Sequence, residues 1–456
     1  MKTALLLTST VFLISLVGVV VLDYYRGRHP LLSNRNFLLL GLGFFQCLSA
    51  ILTLSLGMRN YGVEISDATY LRFGGGMVLF TIVFFMAYRC RRPASWLANR
   101  IPTRSPSPTI LPIILILGIA VIAGLESRFT ILPLPGLVRN LTLPVGRGLC
   151  CFSIVMLLWV WNEHRLNAVA WLICPPLILV MLLSLLQGEF GRRAVLSGVL
   201  AVAWGMYFFR WQFKTAILNT PKYAVYALAL LLFIGGVTAI RAREAETYSL
   251  SYRIRAVAEA ISLEQAREVF LTDTFSCSVY AIERYTTDLA PQPFHSTWYM
   301  MTYLVPREMW EAKPVPLGEI LPAVVTVTEL KRYNWGPGLM GHAWHEGGFL
   351  LVVYFAIGFG VICAAIDQRL MQQTSNPYFV AIAGAALGQV LAMARGDIGF
   401  FAVNWFYGTA GPMLLVYLAG LFSNNRADLA ADAQMWEDQW EEDEYEEEWS
   451  APSQPA

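Results

Sequence analysis

Charged side chains are scarce in this sequence. Asp, Glu, Lys and Arg together make up 14% of the 456 residues, whereas hydrophobic residues make up 56%. A soluble globular protein carries about 25% charged residues, so the composition excludes an ordinary soluble domain. The formal net charge of +1 offers no bulk attraction to a polyanion, and no nucleic-acid partner is expected.

Patterned cysteines and internal repeats are also missing. The seven cysteines show no spacing typical of metal ligands. Only Cys277 falls in the one large hydrophilic region, which therefore cannot hold an internal disulfide. No repeat is evident of the kind that builds inverted-repeat transporters.

What the sequence does contain is a succession of long apolar runs separated by short polar breaks. Runs of about 17–25 residues match the hydrocarbon thickness of a bilayer, where a helix satisfies its own backbone. We predict an all-α polytopic membrane protein of about eleven transmembrane helices, the first retained rather than cleaved as a signal peptide. The predicted spans are 4–22, 37–57, 73–88, 109–125, 148–161, 168–187, 194–209, 222–240, 347–366, 378–394 and 399–422.

These spans divide the chain into four parts. Residues 1–240 are predicted to form an N-terminal bundle of about eight helices, and 347–422 about three further helices. Between them, 241–346 forms one large extracytoplasmic loop domain, where function is expected. The acidic tail, 423–456, is predicted to be disordered and cytoplasmic.

Basic residues in the short loops predict the orientation. Arginine and lysine fall in alternate loops, which the positive-inside rule places in the cytoplasm. These residues are Arg26, Arg28, Arg35, Arg89, Arg91, Arg92, Arg100, Arg104, Arg165, Arg210 and Lys214. The N-terminus is then outside, the C-terminal tail inside and the long loop outside.

Several arginines nevertheless lie on the predicted outer face. Arg192 and Arg193 follow a short turn, Arg395 precedes the last span, and Arg307 lies in the long loop. A guanidinium binds phosphate or carboxylate bidentately, so the set is a candidate site for a lipid-linked phosphate or pyrophosphate. For any single arginine the alternative is snorkelling or a local pair, such as Arg395 with Asp397.

The segment 305–314 of the long loop is stiffened by two prolines. Arg307 and Lys313 could present cations beside Trp310, which would suit sugar stacking or a cation–π contact. Taken alone, this segment is equally an interfacial loop with an anchoring tryptophan.

The segment 335–348 is rich in glycine and leads directly into a predicted span. Glycines there would let the backbone approach a ligand closely, and His342 and His345 are candidate acid–base groups. Their spacing differs from that of a zincin motif, so no metal is predicted. A structural interfacial role for either histidine is the equal alternative.

Together these segments resemble the oligosaccharide repeat-unit polymerases, the O-antigen polymerase family of bacterial envelopes. Residues 305–314 match the family's hallmark I/V-P-R-x-x-W-x-x-K-P, and 338–348 are similar to its glycine-rich segment before a membrane helix. The chain departs from the family at His342, where members commonly have Glu.

The resemblance implies a metal-independent membrane glycosyltransferase that needs no cofactor. It would polymerise oligosaccharide units carried on undecaprenyl pyrophosphate into an O-antigen, capsule or exopolysaccharide, at the outer face of the bacterial cytoplasmic (inner) membrane. Its implied partners are that lipid-linked substrate, membrane lipid and a chain-length regulator protein. The candidate catalytic residues are Arg307, His342 and His345, and the candidate substrate-binding residues are Arg192, Arg193, Arg395, Lys313, Trp310, His295 and Trp335.

Two other functions remain open at this point. An O-antigen ligase-type transferase would use the same donor and topology with a different acceptor. A polysaccharide or lipid-linked sugar transporter would perform no chemistry and should carry ionisable residues deep within its helices. The middles of the predicted spans are almost free of charge, which favours an enzyme.

Overall fold

The computed structural model describes residues 2–27, 29–56, 64–129, 132, 134–186, 191–211, 272–285, 290–326 and 335–422. These residues form helices and no β-strand. The predicted span 222–240, the parts 241–271, 286–289 and 327–334 of the predicted loop domain, and the acidic tail lie outside the described residues. The four-part division of the chain therefore stays a prediction.

The first half of the chain contributes nine helices within the described residues, and a π-helical turn (Gly43–Leu48) joins the second to the third. They are α1 (Lys2–Tyr25), α2 (Asn34–Leu42), α3 (Ser49–Leu56), α4 (Asp67–Arg89), α5 (Arg91–Ala98), α6 (Ile110–Phe129), α7 (Gly136–Glu163), α8 (Ala168–Leu186) and α9 (Gly191–Met206).

The second half combines short helices with two long ones. They are α10 (Thr272–Glu283), α11 (His295–Thr302), α12 (Leu317–Thr326), α13 (Gly338–Gly347), α14 (Phe349–Gln372), α15 (Pro377–Gly384), α16 (Leu387–Met393) and α17 (Ile398–Leu421). The proline-rich region between 291 and 322 is thus broken into short helices, as its composition predicts.

Within the part of the chain that the structure describes, seven helical segments are long and apolar enough to cross a membrane, and two shorter apolar stretches accompany them at 196–210 and 377–393. The spans begin at Lys2, Asn34, Asp67, Ile110, Gly136, Ala168 and Phe349. An all-α membrane protein is confirmed, while the count of eleven spans stays a prediction.

Ionisable residues just outside two of the predicted spans lie within helices of the structure. Arg147 lies within α7, which begins at Gly136 rather than near the predicted residue 148, and Asp367 lies within α14. Pro144 interrupts the apolar pattern of α7 but not its helix, so the sequence pattern placed Arg147 in a loop. Both residues make polar contacts inside the protein.

Asp367 joins three helices by hydrogen bonds. One carboxylate oxygen accepts from the backbone N–H of Asn34 at 2.8 Å, and the other accepts from the N–H of Arg35 at 3.0 Å and the hydroxyl of Tyr88 at 3.1 Å. The carboxylate thereby occupies the positive N-terminal end of α2. Since Asp367 follows Phe349 by roughly 27 Å of helix, this contact lies at the opposite end of α14 from α13.

Glycine allows α7 and α17 to pack in direct backbone contact. A methyl group added at Gly148 would lie within bonding distance of the Gly408 carbonyl oxygen, at 1.9 Å. Small residues at such crossings are the usual means by which membrane helices approach closely. The contact fixes α17, whose first residues form part of the site described below.

We expect Gly148→Ala to destabilise the protein by roughly 1–3 kcal/mol, because overpacking a close helix contact displaces backbone. Gly118→Ala in α6 is the matched control, since nothing lies within 4 Å of a methyl group added there. Thermal unfolding of both variants in the same detergent measures the difference. Equal melting temperatures would contradict the close packing of α7 against α17.

The predicted orientation can be tested by thiol labelling in intact cells. Cys90 is exposed and the other six cysteines are buried, so a Cys90→Ser background suffices. Single cysteines are then placed at Gln292 and Asn99, both exposed, because Ala98 is buried. We expect a membrane-impermeant reagent to label the Gln292 position alone. Labelling at Asn99 alone would reverse the orientation.

Candidate functional site

The glycine-rich approach to α14 folds as a buried helix. Every residue of α13 from Gly338 to Glu346 is buried. The left-handed backbone of Gly338, with φ of 67°, brings it against Gln46 and the Ala394 carbonyl, and the backbone of Gly336 lies against that of Arg395. These glycines therefore bring the chain close to itself, whereas the sequence suggested a close approach to a ligand.

His342 lies at the centre of a buried polar cluster. Its Nε2 is 3.3 Å from a carboxylate oxygen of Asp397, and its Nδ1 is 3.6 Å from Glu346 and 3.2 Å from the hydroxyl of Ser296. The hydroxyl and backbone N–H of Ser296 both donate to Glu346. We call these four residues, together with His345, the His342 cluster. Each of the five is at most 4% exposed.

The charges within the cluster stabilise one another. Burial alone would lower the pKa of His342, but Asp397 and Glu346 outweigh it and raise that pKa to about 9. Burial would raise the pKa of Asp397, yet His342 and the N–H groups of Phe400 and Gly318 lower it to about 2. His342 is therefore an imidazolium at neutral pH, with a proton on each nitrogen.

His345 has the opposite character. Burial lowers its pKa to about 4, and His342 and His295 act in the same direction, so its ring is neutral at physiological pH. Among the described residues, Nδ1 and Nε2 of His345 have no hydrogen-bond partner, and the same is true of Oε2 of Glu346. The cluster thus combines a fixed cation with a neutral imidazole, and both that imidazole and Oε2 of Glu346 have hydrogen-bonding positions that no described residue fills.

The phenol of Tyr299 is affected by charges of this cluster and also by Arg307 of the long loop. Burial raises the pKa of its phenol, the charges of Asp397 and Glu319 add to the rise, and Arg307 opposes it. The phenol therefore lies within electrostatic reach of both Asp397 and Arg307. Arg307 itself is exposed, and within the described residues no carboxylate pairs with it.

The segment 305–314 holds its two cations differently. Lys313 is buried, and its ammonium donates to the carbonyl oxygens of Tyr303 at 2.7 Å and Val305 at 2.8 Å. It closes the loop rather than presenting a charge beside Trp310. The ring of Trp310 instead contacts that of Trp298, with centroids 6.3 Å apart. Trp298 is 52% exposed, so this pair offers an aromatic surface.

The other predicted site residues are distributed around this arrangement. His295 is buried, its Nε2–H donates to the carbonyl oxygen of Val315 at 2.8 Å, and its ring centroid lies 6.2 Å from that of His345. Trp335 packs against Tyr280 in a separate apolar cluster. The guanidinium of Arg395 lies over the ring of Phe45.

The predicted convergence of outer arginines stays a prediction. The side chains of Arg192 and Arg193 lie outside the part of the chain that the structure describes, although their backbone opens α9. Asp397, considered above as a local partner for Arg395, faces His342 and also caps α17 through the N–H of Phe400.

Sequence reasoning missed Ser296, the pairing of Glu346 with His342 and the role of Asp397. The sequence contains features that mark Glu346 and Asp397. His342 and Glu346 are four residues apart, which places them on one helix face. Asp397 directly precedes a long apolar run, which is the signature of a helix N-cap. No local pattern marks Ser296, because its partners are distant in sequence.

Comparison of the chain with protein-family models, curated proteins and solved structures found no match. The resemblance to repeat-unit polymerases therefore rests on the sequence segments alone.

The His342 ion pair predicts loss of stability at alkaline pH. A histidine whose pKa is raised on folding stabilises fully below its ordinary pKa of 6.5, and the contribution disappears as pH rises through about 9. We expect the melting temperature to fall across this window, followed by tryptophan fluorescence in detergent. The His342→Gln variant should be less stable at pH 6.5 and nearly insensitive to pH above it. An equal alkaline fall in that variant would assign the effect to other groups.

Proposed function

We propose that this chain is a membrane glycosyltransferase that joins lipid-pyrophosphate-linked oligosaccharide units into a surface polysaccharide, at the outer face of a bacterial cytoplasmic membrane. The observation that carries the proposal is the position of α11, whose Ser296 donates to Glu346 of the His342 cluster and whose Tyr299 and Ser296 lie against Gly399 at the start of α17. Arg307 follows the end of α11 by five residues, and we infer that this exposed cation and the buried cluster belong to one site. The family-like segment 305–314 supplies the cation.

The transfer makes three demands on such a site. The acceptor hydroxyl oxygen attacks the anomeric carbon of the donor sugar, and the bond from that carbon to the pyrophosphate oxygen breaks. The lipid pyrophosphate leaves with the electron pair, and the hydroxyl proton passes to a base. Arg307 suits the developing negative charge, because preorganised cations act most strongly where charge appears.

The charges of the cluster narrow the choice of base. His342 is already protonated and held by Asp397 and Glu346, so it is a positioning residue rather than a proton acceptor. His345 is neutral, with ring nitrogens that have no partner among the described residues. We assign the base to His345, with Glu346 as the alternative.

The aromatic pair suits the sugar part of the substrate. Trp298 and Trp310 lie edge to face at the surface next to Arg307, and exposed aromatic faces are common sugar platforms and interfacial anchors. Met301 and Met309 are also exposed, at 69% and 76%. The surface is thus apolar enough to meet the headgroup region of a bilayer.

Two other functions share parts of this description. A ligase-type transferase would use the same donor site, and only its product distinguishes it. A lipid-linked sugar transporter gains support from Arg147 and Asp367, which are ionisable residues inside spans. The transporter accounts less well for a neutral buried histidine beside an exposed arginine, which transport without chemistry does not require.

Arg307→Ala should abolish polymer formation while the protein stays membrane-inserted, and single repeat units should accumulate on the lipid carrier. We expect at least a tenfold loss, because a hydrogen bond to a charged group contributes about 1.5–3 kcal/mol. Arg307→Lys should also be impaired, since an ammonium cannot reproduce the guanidinium fork. Carbohydrate gels and extraction of lipid-linked sugars measure both effects.

Glu311→Gln is the matched control, because Glu311 is exposed in the same segment, 305–314, and carries no proposed role. Normal polymer length and yield in Arg307→Ala would overturn the proposed site. Long polymer left unattached to its final acceptor would favour the ligase. Repeat units retained on the inner face would favour the transporter.

A further inference from the structure

The short helix α5 has one face against the helix bundle and one face that is basic and exposed. On the inner face Ala94 and Ala98 are at most 3% exposed, and the hydroxyl of Ser95 donates to the side-chain carbonyl oxygen of Gln368 in α14 at 3.2 Å. The charged and aromatic residues on α5 and directly beside it are exposed instead. We call these residues the α5 surface: Arg89, Arg91, Arg92, Trp96 and Arg100.

The positive charge of the α5 surface is not neutralised by the residues around it. In the part of the chain that the structure describes, no carboxylate forms an ion pair with any of its four arginines. The guanidinium carbon of Arg100 lies 4.0 Å from the ring centroid of Trp96, which is a cation–π contact. This contact leaves the charge of Arg100 in place, so the surface suits a partner with several anionic groups.

The α5 surface is far from the His342 cluster. Gln368, to which α5 is bonded, follows Phe349 at the start of α14 by roughly 28 Å of helix. The cluster contains Glu346, which precedes that start by three residues. The surface is therefore separate from the site of the proposed transfer, and its partner has to be found on other grounds.

The helix α17 ends beside the segment that carries the α5 surface. Nε of Arg104 donates to the carbonyl oxygen of Gly420 at 2.9 Å, and a methyl group added at Gly420 would lie 3.1 Å from the backbone of Arg104. Arg104 follows Arg100 by four residues, so their Cα atoms are at most roughly 14 Å apart. The chain that continues beyond Leu421 therefore starts next to the α5 surface, at the same end of the bundle.

That continuation carries the opposite charge. Nine of the twelve residues from 437 to 448 are Asp or Glu, and none is Lys or Arg. Three tryptophans lie within this run or at its ends: Trp436, Trp440 and Trp449. Carboxylates match the guanidinium fork, and indole rings attract it through cation–π contacts. An extended chain could cover roughly 50 Å between Leu421 and Glu437, so the acidic run can reach α5.

We propose that the acidic segment 437–448 binds the α5 surface of the same chain. A single exposed ion pair is weak. The attachment through α17 nevertheless makes each contact intramolecular, and a short linker gives an effective concentration in the millimolar range. Anionic lipid headgroups also attract basic segments, but they are not attached beside the arginines. The segment then supplies the carboxylates that the described residues do not provide.

The distance between the two segments is the direct test. Cys90 is exposed and adjoins Arg89 and Arg91, whereas the other six cysteines are buried. Gln439→Cys introduces a second thiol and leaves every carboxylate of the acidic segment in place. Both thiols of the full chain receive nitroxide labels, and double electron–electron resonance measures the distances between them. The protein is held in phosphatidylcholine nanodiscs.

We expect most distances to lie below about 25 Å, because α5 is about 12 Å long and the side chains and labels add a similar length. Without binding, up to roughly 60 Å of extended chain between Leu421 and position 439 permits a broad distribution. Raising the salt to 1 M should produce that broad distribution, because the Debye length falls to about 3 Å. A broad distribution at low salt as well would overturn the proposal.

Two double variants test whether the arginines of the α5 surface are the binding partner. Arg91→Gln with Arg92→Gln should broaden the distribution. Arg72→Gln with Arg139→Gln removes the same charge from exposed positions near the first turns of α4 and α7, and it should keep the short distances. Short distances that persist in the first double variant, or that are lost equally in both, would overturn the α5 surface as the binding site.

Loss of arginines from a short loop can also impair membrane insertion. A form with Glu441, Glu442, Glu446 and Glu447 all replaced by Gln changes the acidic segment alone and covers that case. We expect it to give the broad distribution, and unchanged short distances would count against the proposal.

Two further measurements identify a different partner. Short distances that disappear when the labelled protein is diluted with unlabelled protein would assign the contact to a second copy of the chain. Short distances in phosphatidylcholine that are lost in phosphatidylglycerol nanodiscs would assign the surface to anionic lipid. We expect the short distances to survive both changes, because the segment is attached to the bundle that it binds.

Discussion

The ion pair between His342 and Asp397 organises the end of the protein at which the candidate site lies. A charge that is fully buried must be paired and hydrogen-bonded, because an unpaired one costs several kcal/mol. Asp397 therefore holds α13 through His342 and the start of α12 through the N–H of Gly318. Glu346 extends the same cluster to α11 through Ser296. Short helices outside the long spans are thus fixed to α17 by charge rather than by apolar packing alone.

The requirement that a buried charge be paired also applies at the other end of α14. Asp367 accepts hydrogen bonds from α2 and α4 there, whereas Glu346 belongs to the helix that leads into α14. The helix between them is apolar and held by polar contacts at both ends. A buried polar contact at each end therefore fixes α14 to its neighbours.

The candidate membrane spans among the described residues were predictable from the sequence. An apolar run that is long enough to cross a bilayer rarely forms any other structure. The partners of the polar residues could not be predicted from the sequence, because residues such as Asp397 and His342 belong to different helices and only the fold brings them together. Arg395 is nearer to Asp397 in sequence, yet the carboxylate of Asp397 lies 3.3 Å from His342 of another helix. Arg147 was missed for another reason: Pro144 disturbed the apolar pattern while leaving the helix continuous.

The two cations of the segment 305–314 show that the geometry of a basic side chain decides whether it suits a structural contact or the binding of an anion. An ammonium has its donors on one tetrahedral nitrogen, so it can satisfy carbonyl oxygens that converge on a point, as Lys313 does for Tyr303 and Val305. A guanidinium spreads its donors along a planar edge, which matches phosphate and carboxylate. Because Lys313 closes the loop from within, Arg307 is left at its surface. Exchanging the two residues would keep the charge of the loop, but it would lose the carbonyl contacts of Lys313 and remove the planar guanidinium from the surface.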